Sequence, residues 1–301
     1  MTDYTYHVDG ALVPAEEATV NVRDRGFLYG DAAFETLRVY GGEVFEWEAH
    51  FERLARTCRT LGFDRAMPPA EDVRERVRET VAANDLSEAY ARVSITRGVQ
   101  SGKLTPDPRV APTVVVIVDE LPRGGTAGES VWDDPATLRT VQRRRPPDAA
   151  VPADAKTHNY LTGILARLEL RGTDADEAVV LDTDGYVTEG ATSNVFFVEG
   201  GTLKTPTTDL PILPGVTRGV VLDLARAEGF PVEAGEYGVG DLRSADEVFL
   251  TNTTREVRPV VAVDGTPVER GPMARLLARL FDERVERRHY DESNGDSRIK
   301  Q

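Results

Sequence analysis

The sequence predicts two domains of mixed α/β (α+β) type. Three observations lead there. Short apolar runs rich in Val, Phe and Tyr alternate with longer stretches of helical periodicity. An aperiodic Pro- and Gly-containing stretch, ELPRGGTAGES at 120–130, separates two such halves. A chain of 301 residues with 40% hydrophobic content is long enough for two cores. The expected bounds are an N-terminal domain at 1–120, a linker at 121–130 and a C-terminal domain at 131–288. The tail at 289–301, HYDESNGDSRIKQ, is expected to fray.

Residues 4–47 read as strands and turns, with Asp9-Gly10 and Gly41-Gly42 at hairpin positions. FETLRVY at 34–40 and EVFEW at 43–47 make the clearest hairpin. A helix is expected from Glu48 to Leu61, with Gly62 just past its end. Phe51, Leu54, Ala55 and Cys58 share its apolar face, which makes Cys58 a core residue. A second helix at 70–83 repeats Val73, Val77 and Val81 every fourth residue. Strands follow at 89–97 and 112–119. Beyond the linker, helices are expected at 158–171, 215–229 and 272–287, the last with Met273, Leu276, Leu277, Leu280 and Phe281 in one stripe.

Composition narrows the function classes. Lys plus Arg is 36 and Asp plus Glu is 51, so the formal charge is −15. That argues against nucleic acid or an anionic membrane as the main partner, because both attract basic surfaces. Only four residues are Lys (Lys103, Lys156, Lys204, Lys300), which leaves 36 − 4 = 32 Arg. High acidity with scarce Lys resembles proteins of salt-loving archaea, where concentrated salt screens self-repulsion. A single Cys excludes an internal disulfide framework. The start MTDYTYHVDG lacks a signal-peptide pattern and no apolar run could span a bilayer, so a cytoplasmic enzyme is expected.

Several motifs fail. Residues 98–104, GVQSGKL, fall one residue short of a phosphate loop, and Leu104 stands where a metal-binding hydroxyl belongs. His7, His50, His158 and His289 have no ligand spacing, so no metal site is expected.

Others survive. Lys156 sits in DAKTHNYL at 154–161, at the expected start of a helix, where the dipole would lower its pKa and favour an amine nucleophile. TDGYVTEGATSNVFF at 183–197 places an acid, a Gly and small polar residues before a strand. ILPGVTRG at 212–219 puts a Thr at a helix start, the kind of backbone cup that holds anions. LTNTT at 250–254 offers hydroxyls and amides after a strand, and HFERL at 50–54 places Arg53 on the first helix.

Together, in this order and spacing, these segments resemble the fold-type IV family of pyridoxal-phosphate enzymes, from about residue 5 to 285. That family contains branched-chain aminotransferases, D-amino acid aminotransferases and aminodeoxychorismate lyases. The resemblance implies the D-amino acid aminotransferase-like architecture: a smaller N-terminal domain, a larger cofactor-binding domain, a cofactor in the cleft between them, and a homodimer. It implies that Lys156 forms the Schiff base with pyridoxal 5′-phosphate and that Glu189 pairs with the pyridine nitrogen. Arg53, Val216, Thr217 and Thr253 match the phosphate ligands, and Tyr160 matches the tyrosine near the ring hydroxyl.

The resemblance leaves the reaction open, because the branches share their first steps. Lys156 takes the proton from the amine-bearing carbon in all of them. The Arg and His of the D-amino acid branch align with Gly102 and Leu104, so that carboxylate trap is missing. Tyr29, Tyr90, Arg92 and Thr254 match the branched-chain substrate pocket. FETLR and KTHNY resemble aminodeoxychorismate lyases more closely, with Thr36 matching a hydroxyl near the reacting centre and His158 two residues after the Lys. On that reading the products are 4-aminobenzoate and pyruvate, and Arg38, Arg92 and Arg97 are candidates for the substrate carboxylates. The leading expectation is therefore the lyase, with branched-chain transamination as the alternative. D-amino acid transamination follows, and an inactive cofactor-binding protein is the non-enzymatic reading.

Overall fold

The computed structural model describes residues 4–123, 131, 132 and 134–290. Most of the expected linker, 124–130, and the tail beyond 290 lie outside the described residues. The chain divides into two compact units, one reaching Pro122 and including Ala155–Asn159, the other holding the rest. Among the described residues, no helix is long and apolar enough to cross a membrane.

The first unit contains strands β1 (Thr5–Val8), β2 (Ala11–Pro14), β3 (Ala32–Tyr40), β4 (Glu43–Val44), β5 (Ala89–Thr96) and β6 (Val114–Glu120). Its helices are α1 (Arg25–Tyr29), α2 (Trp47–Thr60) and α3 (Ala70–Ala82). The strands form one antiparallel sheet in the order β2-β1-β6-β5-β3-β4. Side chains alternate between the faces of a strand, so β3 sends Ala33, Leu37 and Val39 into the core. There they join Ala91, Val93 and Ile95 of β5 with Leu54, Cys58, Val73, Val77 and Val81 of the two helices. Burial pushes the Cys58 thiol up to about 12, so it is an inert core group. The other face of β3 carries Phe34, Thr36 and Arg38, opposite Ser94, Arg92 and Tyr90 of β5. The expected second strand of the hairpin, 43–47, is only two residues long because Trp47 already starts α2.

The second unit contains β7 (Ala136–Arg144), β8 (Glu177–Leu181), β9 (Val187–Gly190), β10 (Asn194–Glu199), β11 (Thr202–Pro206), β12 (Val232–Gly235), β13 (Glu247–Asn252), β14 (Glu256–Val263) and β15 (Thr266–Pro267). Its helices are α4 (Leu161–Glu169), α5 (Val216–Ala227), α6 (Val239–Ser244) and α7 (Pro272–His289). Among the described residues, the strands make a mixed sheet in the order β12-β11-β10-β13-β14-β7-β8-β9, with β15 paired to β14. One face buries Leu138, Val179, Val195, Phe197, Val248, Leu250 and Val260.

One expectation is corrected. Lys156 does not stand at a helix N-terminus, because α4 begins at Leu161 with Tyr160 as its N-cap. The helix dipole fades within a turn, so it does not act on Lys156. The segment before α4 runs along β3 instead: Phe34 N donates to Lys156 O (3.0 Å) and His158 N donates to Ala32 O (3.0 Å). An isolated bridge joins Ala33 to Thr157. This pairing is why Ala155–Asn159 belongs to the first unit rather than to the expected C-terminal domain.

Candidate active site

In the first unit the chemistry gathers on the Phe34 face of β3. The Lys156 backbone N–H donates to Thr57 Oγ1 (3.0 Å), and that hydroxyl donates to Arg53 O (3.0 Å), so α2 fixes the lysine backbone. Lys156 Nζ lies 4.5 Å from the centroid of the Phe34 ring, and the Arg92 guanidinium lies 3.7 Å from the same centroid. His158 meets Phe34 edge-on at 5.7 Å, with Nε2 3.1 Å from Ser94 Oγ. Burial, and then the charge of Arg92, push His158 down to about 4, so its imidazole is neutral at neutral pH. Thr36 sits directly opposite Arg92 across the β3–β5 ladder. An amine and a cation thus share one aromatic ring, with Thr36 across the ladder from the cation.

On the helix side of the same sheet, Arg53 grips Glu35 with two parallel bonds, Nε to Oε1 (2.8 Å) and Nη2 to Oε2 (2.8 Å). His50 Nδ1 is 2.9 Å from Glu35 Oε2. Burial disfavours the Glu35 charge, but Arg53 and His50 outweigh it and hold the carboxyl down at about 2. The fork on one side of the guanidinium fixes its plane.

In the second unit, Glu189 is the central acid. Its Oε2 accepts from Leu213 N (3.0 Å) and Asn194 Nδ2 (3.2 Å), and its Oε1 lies 2.7 Å from Arg145 Nη2. The tight turn after it is braced by buried Glu177, which accepts from Ala191 N (3.2 Å), Thr192 Oγ1 (2.6 Å) and Ser193 Oγ (3.3 Å). Gly190 is needed here because a Cβ would fall 2.4 Å from Ser193 Oγ. Gly215 serves similarly: a Cβ would fall 2.0 Å from Asn194 Oδ1, so its absence lets the amide reach Glu189. Gly215 is also the N-cap of α5, which opens with Val216 and buried Thr217. The first-turn N–H groups of a helix have no acceptor within the helix. Thr253 and Thr254 lie in the turn after β13, where Asn252 Oδ1 accepts from Arg255 N (2.7 Å). Tyr160 precedes α4, and its ring lies 3.5 Å from where a Cβ on Gly163 would be.

Three expected substrate residues are committed elsewhere. Arg97 forks onto Asp31 (2.7 and 3.1 Å), donates to Leu61 O and stacks over Phe63 at 5.0 Å, so it ties β5 to the loop after α2. Burial opposes ionisation of Asp31, yet Arg97 and Arg25 hold its pKa low. Arg38 is 1% exposed, donates to Pro122 O (2.8 Å) and lies over Tyr40 at 4.8 Å. Its Nε and Nη1 have no hydrogen-bond partner and are sealed from solvent. Tyr29 donates through its hydroxyl to Gly102 O (2.5 Å), while Arg25 binds Lys103 O (2.6 Å) and Leu104 O (2.9 Å), so α1 pins the 98–105 loop. Sequence reasoning missed Glu35, Thr57, Arg145, Glu177 and Asn194. Glu35 lay inside FETLR and Asn194 inside the 183–197 motif, while the others bear no local signal.

The donor chemistry fits pyridoxal phosphate. Arg53, the first N–H groups of α5 and the hydroxyls of Thr217 and Thr253 are all suited to a phosphate dianion. Glu189 is an anionic acceptor suited to a protonated ring nitrogen. Comparison with known proteins agrees. The amino-transferase class IV family model matches residues 32–263. A putative branched-chain-amino-acid aminotransferase of Methanocaldococcus jannaschii is 36% identical over 91% of this chain and 93% of its own length. A D-alanine aminotransferase of Listeria monocytogenes is 33% identical over 93% of this chain and 96% of its own. The branched-chain aminotransferase of Thermoproteus uzoniensis, solved with norvaline, superposes with a TM-score of 0.86 at 30% identity, covering 96% of both chains. The 4-amino-4-deoxychorismate lyase of Pseudomonas aeruginosa gives 0.79 at 28% identity, covering 94% of this chain and 98% of its own. Other matching structures hold pyridoxamine 5′-phosphate or a phosphopyridoxyl adduct of L-glutamate. The chain belongs to the class IV aminotransferases, and is a pyridoxal-phosphate-dependent enzyme of mixed α/β fold.

Proposed function

We propose that the protein moves an amino group between a branched-chain-type amino acid and a 2-oxo acid. The observation that carries this reading is the shared seat of Lys156 and Arg92 on Phe34, an amine base beside a fixed cation suited to a carboxylate. The likeness to the Methanocaldococcus and Thermoproteus proteins supports it over elimination. When bound, pyridoxal phosphate supplies an electron sink for the carbon that loses its proton. Lys156 Nζ would take that proton and return it at the carbon on the far side of the amino nitrogen; water then releases the 2-oxo acid, and the reverse sequence passes the amino group to the second 2-oxo acid. Arg92 would orient a substrate carboxylate, Arg53, Val216, Thr217 and Thr253 are the residues that would hold the phosphate, and Glu189 would accept from the ring nitrogen. Tyr160 would direct its hydroxyl to the ring oxygen, and Thr254 would border the substrate.

Leucine plus 2-oxoglutarate is expected to give glutamate. Arg92→Ala should raise KM for the 2-oxo acid by about 10- to 100-fold with the fold intact, since a charged hydrogen bond is lost. Production of 4-aminobenzoate from aminodeoxychorismate, with no glutamate from leucine, would overturn the proposal in favour of the lyase. Thr36 opposite Arg92 is the observation that favours this second reading.

A homodimer is part of the same proposal. Phe27 and Leu104 are 72% and 78% exposed on α1 and the loop it pins, beside exposed Leu28 and Val99. A cluster of exposed apolar side chains is expected to be covered in solution. Sedimentation equilibrium should give about twice the chain mass of 33.0 kDa. A monomer at working concentration would refute the assembly.

A further inference from the structure

Glu189 is nearly buried, and its carboxylate is engaged on both oxygens. Two of the donors are neutral: the Leu213 amide N–H and the Asn194 side-chain amide. The close cation is Arg145, whose Nη2 is 2.7 Å from Oε1. Arg218 on α5 also faces Glu189 electrostatically, but its guanidinium is turned to Pro206 O (2.9 Å).

Arg145 is itself held. It directly follows β7, its backbone N–H donates to Leu181 O (2.8 Å) and its Nε donates to Pro211 O (3.1 Å). The guanidinium therefore reaches Glu189 from a fixed base, with 21% of the side chain exposed. A carboxylate in a mostly buried place is costly to keep charged; its two amide donors offset part of that cost, and a cation at hydrogen-bond distance offsets more. A planar, permanently charged guanidinium supplies both charge and direction.

We propose that Arg145 is a positioning residue that keeps Glu189 ionised and aimed as the acceptor for a protonated ring nitrogen. The inference rests on the reading of Glu189 given above. In this role Arg145 acts through Glu189. A neutral residue at 145 leaves Glu189 with amide donors and with access to its protonated form, which does not accept from an N–H in the same way.

The test titrates the cofactor-stripped full chain with pyridoxal phosphate and, separately, with its 1-deaza analogue, which has carbon in place of the ring nitrogen. The readout is the ratio of the two dissociation constants. The wild type should favour pyridoxal phosphate by about 10- to 100-fold, the worth of one charge-assisted hydrogen bond. Arg145→Met should shrink that ratio about tenfold by weakening pyridoxal phosphate alone, and Arg145→Lys should recover much of it. An unchanged ratio in Arg145→Met, or equal weakening of both ligands, overturns the proposal. If the wild type shows no preference and Glu189→Gln changes nothing, it is the reading of Glu189 that fails. A thermal melt of each variant checks folding, and Arg145→Gln, which also removes the charge, carries the test with the same expected and overturning outcomes if the methionine variant melts early.

Discussion

Replacing Lys156 with alanine is expected to lower kcat by about 10,000-fold while leaving the fold intact. The large loss follows from two roles in one side chain: covalent partner of the cofactor and base at the reacting carbon. The intact fold follows from how the segment is held. Its backbone is held by hydrogen bonds to β3 and α2, Phe34 N to Lys156 O and Lys156 N to Thr57 Oγ1, while the ammonium meets only the face of the Phe34 ring among the contacts described above. Neither hydrogen bond needs the ammonium. Lys156→Arg is expected to be equally inactive, because guanidinium stays protonated in proteins and neither forms an imine nor takes a proton. That distinguishes a chemical role from a merely cationic one. In a chain with 32 Arg and four Lys, it also accounts for a lysine standing here. The measurement is the single-turnover rate, with visible absorbance to follow cofactor attachment. Added small primary amines should restore part of the Lys156→Ala rate. A variant that turns over within tenfold of wild type would remove Lys156 from the mechanism and, with it, the proposed function.

Sequence periodicity reveals α2, α3, α5 and α7 because each has one apolar face and one solvated face over three or more turns. The site motifs are legible for a similar reason: TEGATS and LPGVT are each built within a few consecutive residues. Where function depends on residues far apart, the sequence is silent or misleading. The residues after Lys156 have helical periodicity, which wrongly extends a helix back to it. Its actual seat is a pairing with β3, more than a hundred residues earlier, which leaves no local trace. Glu35 stands in a strand otherwise read as apolar, and its partners Arg53 and His50 come from the next helix. Arg38, Arg92 and Arg97 are equivalent as sequence. Burial over Tyr40 and the fork to Asp31 separate two of them from the third. In an arginine-rich chain, residue type says little, and the partner decides.

Acid should unfold the first unit in two stages, with His158 and Glu35 governing different pH ranges. His158 has a folded pKa of about 4, below its ordinary value, so the folded state binds fewer protons than the unfolded chain. Stability is therefore lost as pH falls from about 6.5 to 4. Buried His50 is shifted in the same direction and adds to this stage. Glu35, held at about 2, contributes stability that is complete above its unfolded pKa and is lost as pH falls through the range from about 4.5 to 2. A depression of that size corresponds to about 3 kcal/mol. Asp31, held low by Arg97 and Arg25 despite burial, works in the same sense in the second stage. Urea melts at a series of pH values measure both stages. His158→Gln should flatten the first while leaving the second. Glu35→Gln should cost about 3–5 kcal/mol at neutral pH, because it strands the buried charge of Arg53. Pairing it with Arg53→Met should recover much of that loss, since removing both charges together leaves neither unpaired. A double variant as unstable as the sum of the singles would show that Glu35 and Arg53 are not energetically coupled. The bond between them would then be geometry without consequence for stability.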